Sequence, residues 1–180
     1  MSMENQDIRK QVEANRGVVK KLELLIPGLR GYRKLEDIRV SDEMVRKQVA
    51  DKLDQAKGDL EDLRKQLVSK GDFADLATVG SLIAELQQFS GQVRHSQQGY
   101  SGIAPSIRID EDKLNKLYEC DFDFVDSSFQ LENGAAKILP ASGTLASAVS
   151  SVASSLAAIK KKWAVRMETI EGVLLGQGGK

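Results

Sequence analysis

"VADKLDQAKGDLEDLRKQLVSKGD", Val49 to Asp72, sets an apolar residue at Val49, Leu53, Ala56, Leu60, Leu63 and Leu67, with charged and amide residues filling most of the gaps. Steps of three and four keep those side chains on one flank of an α-helix, whereas a half-buried strand would alternate every second residue. Gly71 follows the last of them and supplies a stop, because glycine enters the left-handed conformation that closes helices. At the other end, Ser41 or Asp42 is expected to cap the start by offering a side-chain oxygen to the free amides of the first turn.

The same spacing extends in both directions. Upstream, Ile8, Val12, Val19, Leu22 and Ile26 predict a helix over 4–26, with Asn15 at the one seam position that is not apolar. Downstream, a third helix restarts near Asp72 and carries Leu76, Val79, Ile83, Leu86 and Val93, and the short turn at "SKGD" folds it back antiparallel on the second. Glycines, serines and Pro105 then mark a linker. The acids Asp110, Glu111 and Asp112 open a fourth helix through Leu114, Leu117, Phe124, Leu131 and Ala135. Inside it, "DFDFV" (121–125) alternates as a strand would, but the stripe on either side keeps helical phase through it. "PASG" (140–143) breaks the chain again, and Leu145, Val149, Val152, Leu156, Ile159, Trp163, Ile170 and Leu174 define a fifth helix.

The expected fold class is therefore all-α: an antiparallel bundle of about five helices, partly drawn out as coiled coil. It forms a single domain over 1–175, with a hairpin region at 1–98, a linker at 99–109, helices at 110–175 and a flexible tail at 176–180.

Lys+Arg and Asp+Glu both number 26, so the chain lacks the basic surplus of a dedicated nucleic-acid binder. Cys120 is the only cysteine, which rules out an internal disulfide and points to a reducing compartment. The opening "MSMENQDIRK" has no apolar stretch of the signal-peptide kind, and a cytoplasmic location is expected.

Reaction chemistry is not apparent. His95 is the sole histidine, and neither a second metal-ligand residue at the required spacing nor a phosphate loop or nucleophile elbow accompanies it. The expectation is a protein that is not an enzyme, with no cofactor, no metal and no small-molecule substrate.

Three surfaces could bind. On a helix, Glu119, Asp123 and Asp126 share an acidic face; three carboxylates could hold a divalent ion, but the run lacks the glycine and terminal glutamate of a calcium loop, which favours a solvated face or a partner for basic groups. The loop "IPGLRGYRKLED" (26–37) presents Arg30, Tyr32, Arg33 and Lys34 to a phosphate or an acidic partner. Docking of that loop on the chain's own acidic face, as a clasp, is the reading we favour for it. The fifth helix carries no charge between Lys137 and Lys160, yet serines dilute it too much for a spanning segment. Ser147, Ser150, Ser151 and Ser154 lie opposite a stripe of Leu145, Val149, Val152, Leu156 and Trp163, a candidate membrane or partner face. Continuation of that stripe to Ile170 favours ordinary bundle packing instead.

Ile26, Pro27, Gly28, Arg30, Gly31 and Tyr32, followed by Lys34, Glu36 and Asp37, resemble a signature of uncharacterised bacterial and archaeal helical proteins in which such a loop precedes a long charged helix. Leu117, Tyr118, Glu119 and Asp121 look like their second recurrent element, and Leu29 stands where an aromatic is expected. The resemblance covers about a third of the chain and implies an α-helical cytoplasmic protein, working beside membrane-scaffold proteins.

The leading functional expectation is a non-catalytic interaction or scaffold protein that associates with itself, as a homo-oligomer, or with a protein partner. A peripheral membrane adaptor using helix 143–174 is the alternative. Weak binding of nucleic acid or phosphate by the basic loop 30–39 ranks last.

Overall fold

The computed structural model describes residues 17–29, 35–96, 111–138 and 145–175. Among these the chain forms only helices: α1 at 17–25, α2 at Leu35–Lys70, α3 at Leu76–His95, α4 at Glu111–Ala136 and α5 at Leu145–Leu175. The first linker, the break before α5, Ile8, Val12, Asn15 and the tail lie outside the described residues.

The apolar stripes become one continuous core. Val49, Leu53, Ala56, Leu60 and Leu67 on α2 are wholly buried, as are Val79, Leu86 and Val93 on α3, and Leu131 and Leu156 join them from α4 and α5. Burial of such side chains drives folding at about 25 cal/mol per Å² of apolar area, which makes the shared seam the dominant stabilising feature. The "DFDFV" run is helical throughout, with Phe124 and Val125 in the core and Asp123 in solvent.

Two boundaries differ from the sequence reading. Helix α2 begins at Leu35, so Ser41 and Asp42 are interior and buried rather than capping. The reason is that Ile38 extends the stripe upstream through Val45 to Val49, and the packed flank outweighs the local capping preference. Helix α3 begins at Leu76, because residues 71–75 are spent on reversing the chain. Gly71 takes φ of 72°, its N–H donates to the Val68 carbonyl at 3.1 Å, and the Asp72 N–H donates to the Leu67 carbonyl at 3.0 Å. That pair of bonds is a Schellman closure, which satisfies carbonyls the helix end would otherwise leave open. At the end of α1, Gly28 with φ of 86° turns the chain so that Leu29 enters the core.

Side-chain contacts fix the directions of the rods. Ser90 reaches Ala50 and Asp54, so α3 runs antiparallel to α2; Lys162 reaches Ser127 while Cys120 meets Thr169, so α5 runs antiparallel to α4. Lys52 pairs with Glu132 and sits over the Phe129 ring, whereas Asp42 lies at the level of Asp121, and α2 and α4 are therefore parallel. The result is two antiparallel hairpins packed side by side, α2 against α4, with α3 and α5 parallel to each other and touching least.

Candidate interaction surface

The bundle has two chemically different sides. Outward positions of α2 carry Arg39, Glu43, Lys47, Asp62, Arg64 and Lys65, and those of α4 carry Glu111, Lys116, Glu119 and Asp123. By contrast, the eighteen residues of α3 from Leu76 to Val93 include one charge, Glu85, and α5 has none before Lys160. Glu85 and Lys160 meet each other at 3.0 Å across the two helices. Seven-residue steps back from Lys160 reach Ala153 and Ala146, and Ser150 and Ala157 lie beside them. All four are exposed, as are Thr78, Ser81, Gln88 and Gln92 on the matching flank of α3. Two parallel helices thus present a neutral flank of short side chains along a shallow seam. At the hairpin tip that the seam runs toward, Phe73 is 65% exposed.

Beneath the opposite end lies a buried ionic cluster. Arg166 of α5 is 1% exposed; its Nε donates to Asp121 Oδ1 of α4 at 2.5 Å, and its Nη1 lies 2.8 Å from Asp42 Oδ1 of α2. Asp121 and Asp42 are equally sequestered, at 0% and 1%. The guanidinium carbon lies 5.7 Å from the Trp163 ring and 6.0 Å from that of Phe124, which themselves pack at 5.3 Å. Arg46 donates from Nε to Asp42 Oδ2 at 2.8 Å and from Nη1 to the Arg94 carbonyl at 3.1 Å. That carbonyl belongs to the last turn of α3, where helix geometry leaves it without an internal partner. Arg94 returns a guanidinium to Asp51 and Asp54 at 3.0 and 2.7 Å, so one polar chain crosses all four long helices. Two arginines and two aspartates balance charge within the buried part.

Burial acts on Asp51 to raise its pKa, but hydrogen bonds from Lys47 and Arg94 outweigh it and hold the carboxyl below the usual range. Asp59 goes the other way, because burial and the nearby carboxylates of Glu132 and Asp62 all push it up.

The residues singled out from sequence are placed as follows. Arg30, Tyr32, Arg33 and Lys34 lie outside the described residues, and so does the clasp built on them. Glu119 and Asp123 are exposed, and Asp126 accepts from Gln130 at 2.6 Å; among the described residues no group of carboxylates, His or Cys converges as a metal site. Leu145, Val149, Val152, Leu156 and Trp163 all face the core. No described helix is long and apolar enough to cross a membrane.

Sequence reading passed over the cluster and the neutral flank of α3, although both left a trace. Ile38, Asp42, Val45 on α2, Leu117, Asp121, Phe124 on α4, and Trp163, Arg166, Ile170 on α5 each hold a charge at an in-phase seam position. Charges of opposite sign at seam positions of different helices are the pattern of a buried pair. No protein-family model, curated protein or solved structure matches the chain.

Proposed function

We propose that this protein is a non-catalytic interaction module of the cytoplasm that associates through the neutral α3/α5 flank, with a second copy of itself as the first occupant. The observation that carries this reading is the exposed, charge-poor flank in a chain whose other side is densely charged. Interface cores are depleted in charge, since each buried ion must be stripped of water, and short side chains let a partner helix come close. Two copies fit because the chain's formal charge is zero, which removes long-range repulsion between them, and because one flank can face itself across a two-fold axis. Serine and alanine bring little apolar area, so the contact is modest and reversible, with Phe73 the natural anchor at its end.

The test is light scattering coupled to size exclusion over a wide concentration range. The native chain gains mass with concentration; Ala153→Glu or Ser150→Glu on the flank keeps it monomeric, and Gln66→Glu on the outer side of α2 leaves association unchanged. A native chain that stays monomeric throughout, or association indifferent to the flank substitutions, contradicts the reading.

A further inference from the structure

The Asp42–Arg166–Asp121 cluster sits where apolar packing alone would be at least as favourable. Removing two carboxylates and a guanidinium from water is costly, and well-packed hydrophobic replacements of such groups are often neutral or stabilising. What the apolar seams lack is direction. Leu114, Leu117, Phe124, Leu131 on α4 and Leu145, Val149, Val152, Leu156 on α5 recur at steps of three, four or seven, so sliding the α4–α5 hairpin along α2–α3 by about seven residues again sets stripe against stripe. The few ion pairs elsewhere between the hairpins, Lys52 with Glu132 and Lys160 with Glu85, are partly exposed and discriminate weakly.

We propose that Arg166 is the register lock of the bundle: it is the cation that lets the α4–α5 hairpin dock on α2–α3 at one level only. In the observed register its Nε serves Asp121 of its own hairpin and its Nη1 faces Asp42 of the other. A docking displaced by two turns buries Asp42 against apolar side chains and leaves Arg46 as its only cation, while Arg166 loses one of its two carboxylates. The planar fork matters, because one group must address carboxylates on two different helices at once, which a lysine ammonium on a flexible stem does less well. The cluster thus acts against wrong dockings rather than in favour of the right one.

The experiment measures hairpin register directly. Spin labels at Lys47→Cys on α2 and Asp123→Cys on α4, in a Cys120→Ser background, report one narrow inter-label distance in the otherwise native chain. Replacing the cluster by Asp42→Leu, Arg46→Met, Asp121→Leu and Arg166→Met together broadens that distribution or adds a second distance, while helical circular dichroism persists. Should that variant lose its helicity, Arg166→Lys decides, and it too broadens the distribution. A single distance of native width in a helical form of either variant overturns the proposal.

Discussion

Arg166 Nε and Asp121 Oδ1 lie 2.5 Å apart with both residues essentially out of solvent, so α5 and α4 are joined by a charge-assisted bond inside an otherwise apolar seam. Removal of one member strands the others. Arg166→Met leaves Asp42 and Asp121 buried without their shared cation, and is expected to cost about 3–5 kcal/mol by urea unfolding. Adding Asp121→Asn to Arg166→Met recovers part of that loss, since an amide is cheaper to bury than an unpaired carboxylate. An Arg166→Met chain as stable as the native one would show that the buried pair is not formed.

The inward stripe of α5 predicts a sharp contrast along one helix. Leu156 is 1% exposed, and Leu156→Ala is expected to cost about 2–5 kcal/mol through lost burial and the cavity left behind. Ser154 is exposed and bonds only the Ser150 carbonyl of its own helix, so Ser154→Ala should fall within about 0.5 kcal/mol of the native chain. Thermal or urea melts of the two variants read this directly.

Glycines in α2 and at its end should respond with opposite sign. A Cβ built on Gly58 meets no atom within 4 Å, so Gly58→Ala is expected to stabilise by about 0.5–1 kcal/mol through lower backbone entropy in the unfolded chain. Gly71→Ala finds equally open space but must hold φ of 72°, and is expected to destabilise by about 1 kcal/mol. Equal effects of one sign would contradict the Schellman closure.

Asp59 carries a pH signature. Its folded pKa lies above the ordinary 3.8, because burial and the carboxylates of Glu132 and Asp62 oppose its charge. The contribution to stability is therefore fully present below the unfolded pKa, where Asp59 is protonated in both states, and is lost as pH rises through the folded value. Asp59→Asn should raise the urea midpoint at neutral pH and lose that advantage in acid. Asp51 is the converse case: held below the usual range by Lys47 and Arg94 against the effect of burial, it adds stability that disappears as pH falls through its folded pKa.

The helices were legible because three-and-four spacing is periodic and survives local exceptions, as Phe124 in the strand-like "DFDFV" shows by landing in the core. The start of α2 was not, since Ser41 and Asp42 are good capping residues in isolation and only the packing of Ile38 against the core carries the helix past them. The ionic cluster was hidden for a related reason. Asp121 sits in a run of acids that looks like a solvated face, and its partners lie 79 residues before it at Asp42 and 45 residues after it at Arg166. Burial of a charge depends on which helices meet, and that is a tertiary fact. The neutral flank joins residues of α3 and α5 that no single helical wheel places together.

The most direct test of the account is disulfide cross-linking of single-cysteine chains in a Cys120→Ser background. With Ser150→Cys on the α3/α5 flank, mild oxidation should yield covalent dimer in proportion to chain concentration, whereas Gln66→Cys on the outer side of α2 should stay monomeric. Equal dimer from both positions, or none from Ser150→Cys, would contradict self-association through that flank.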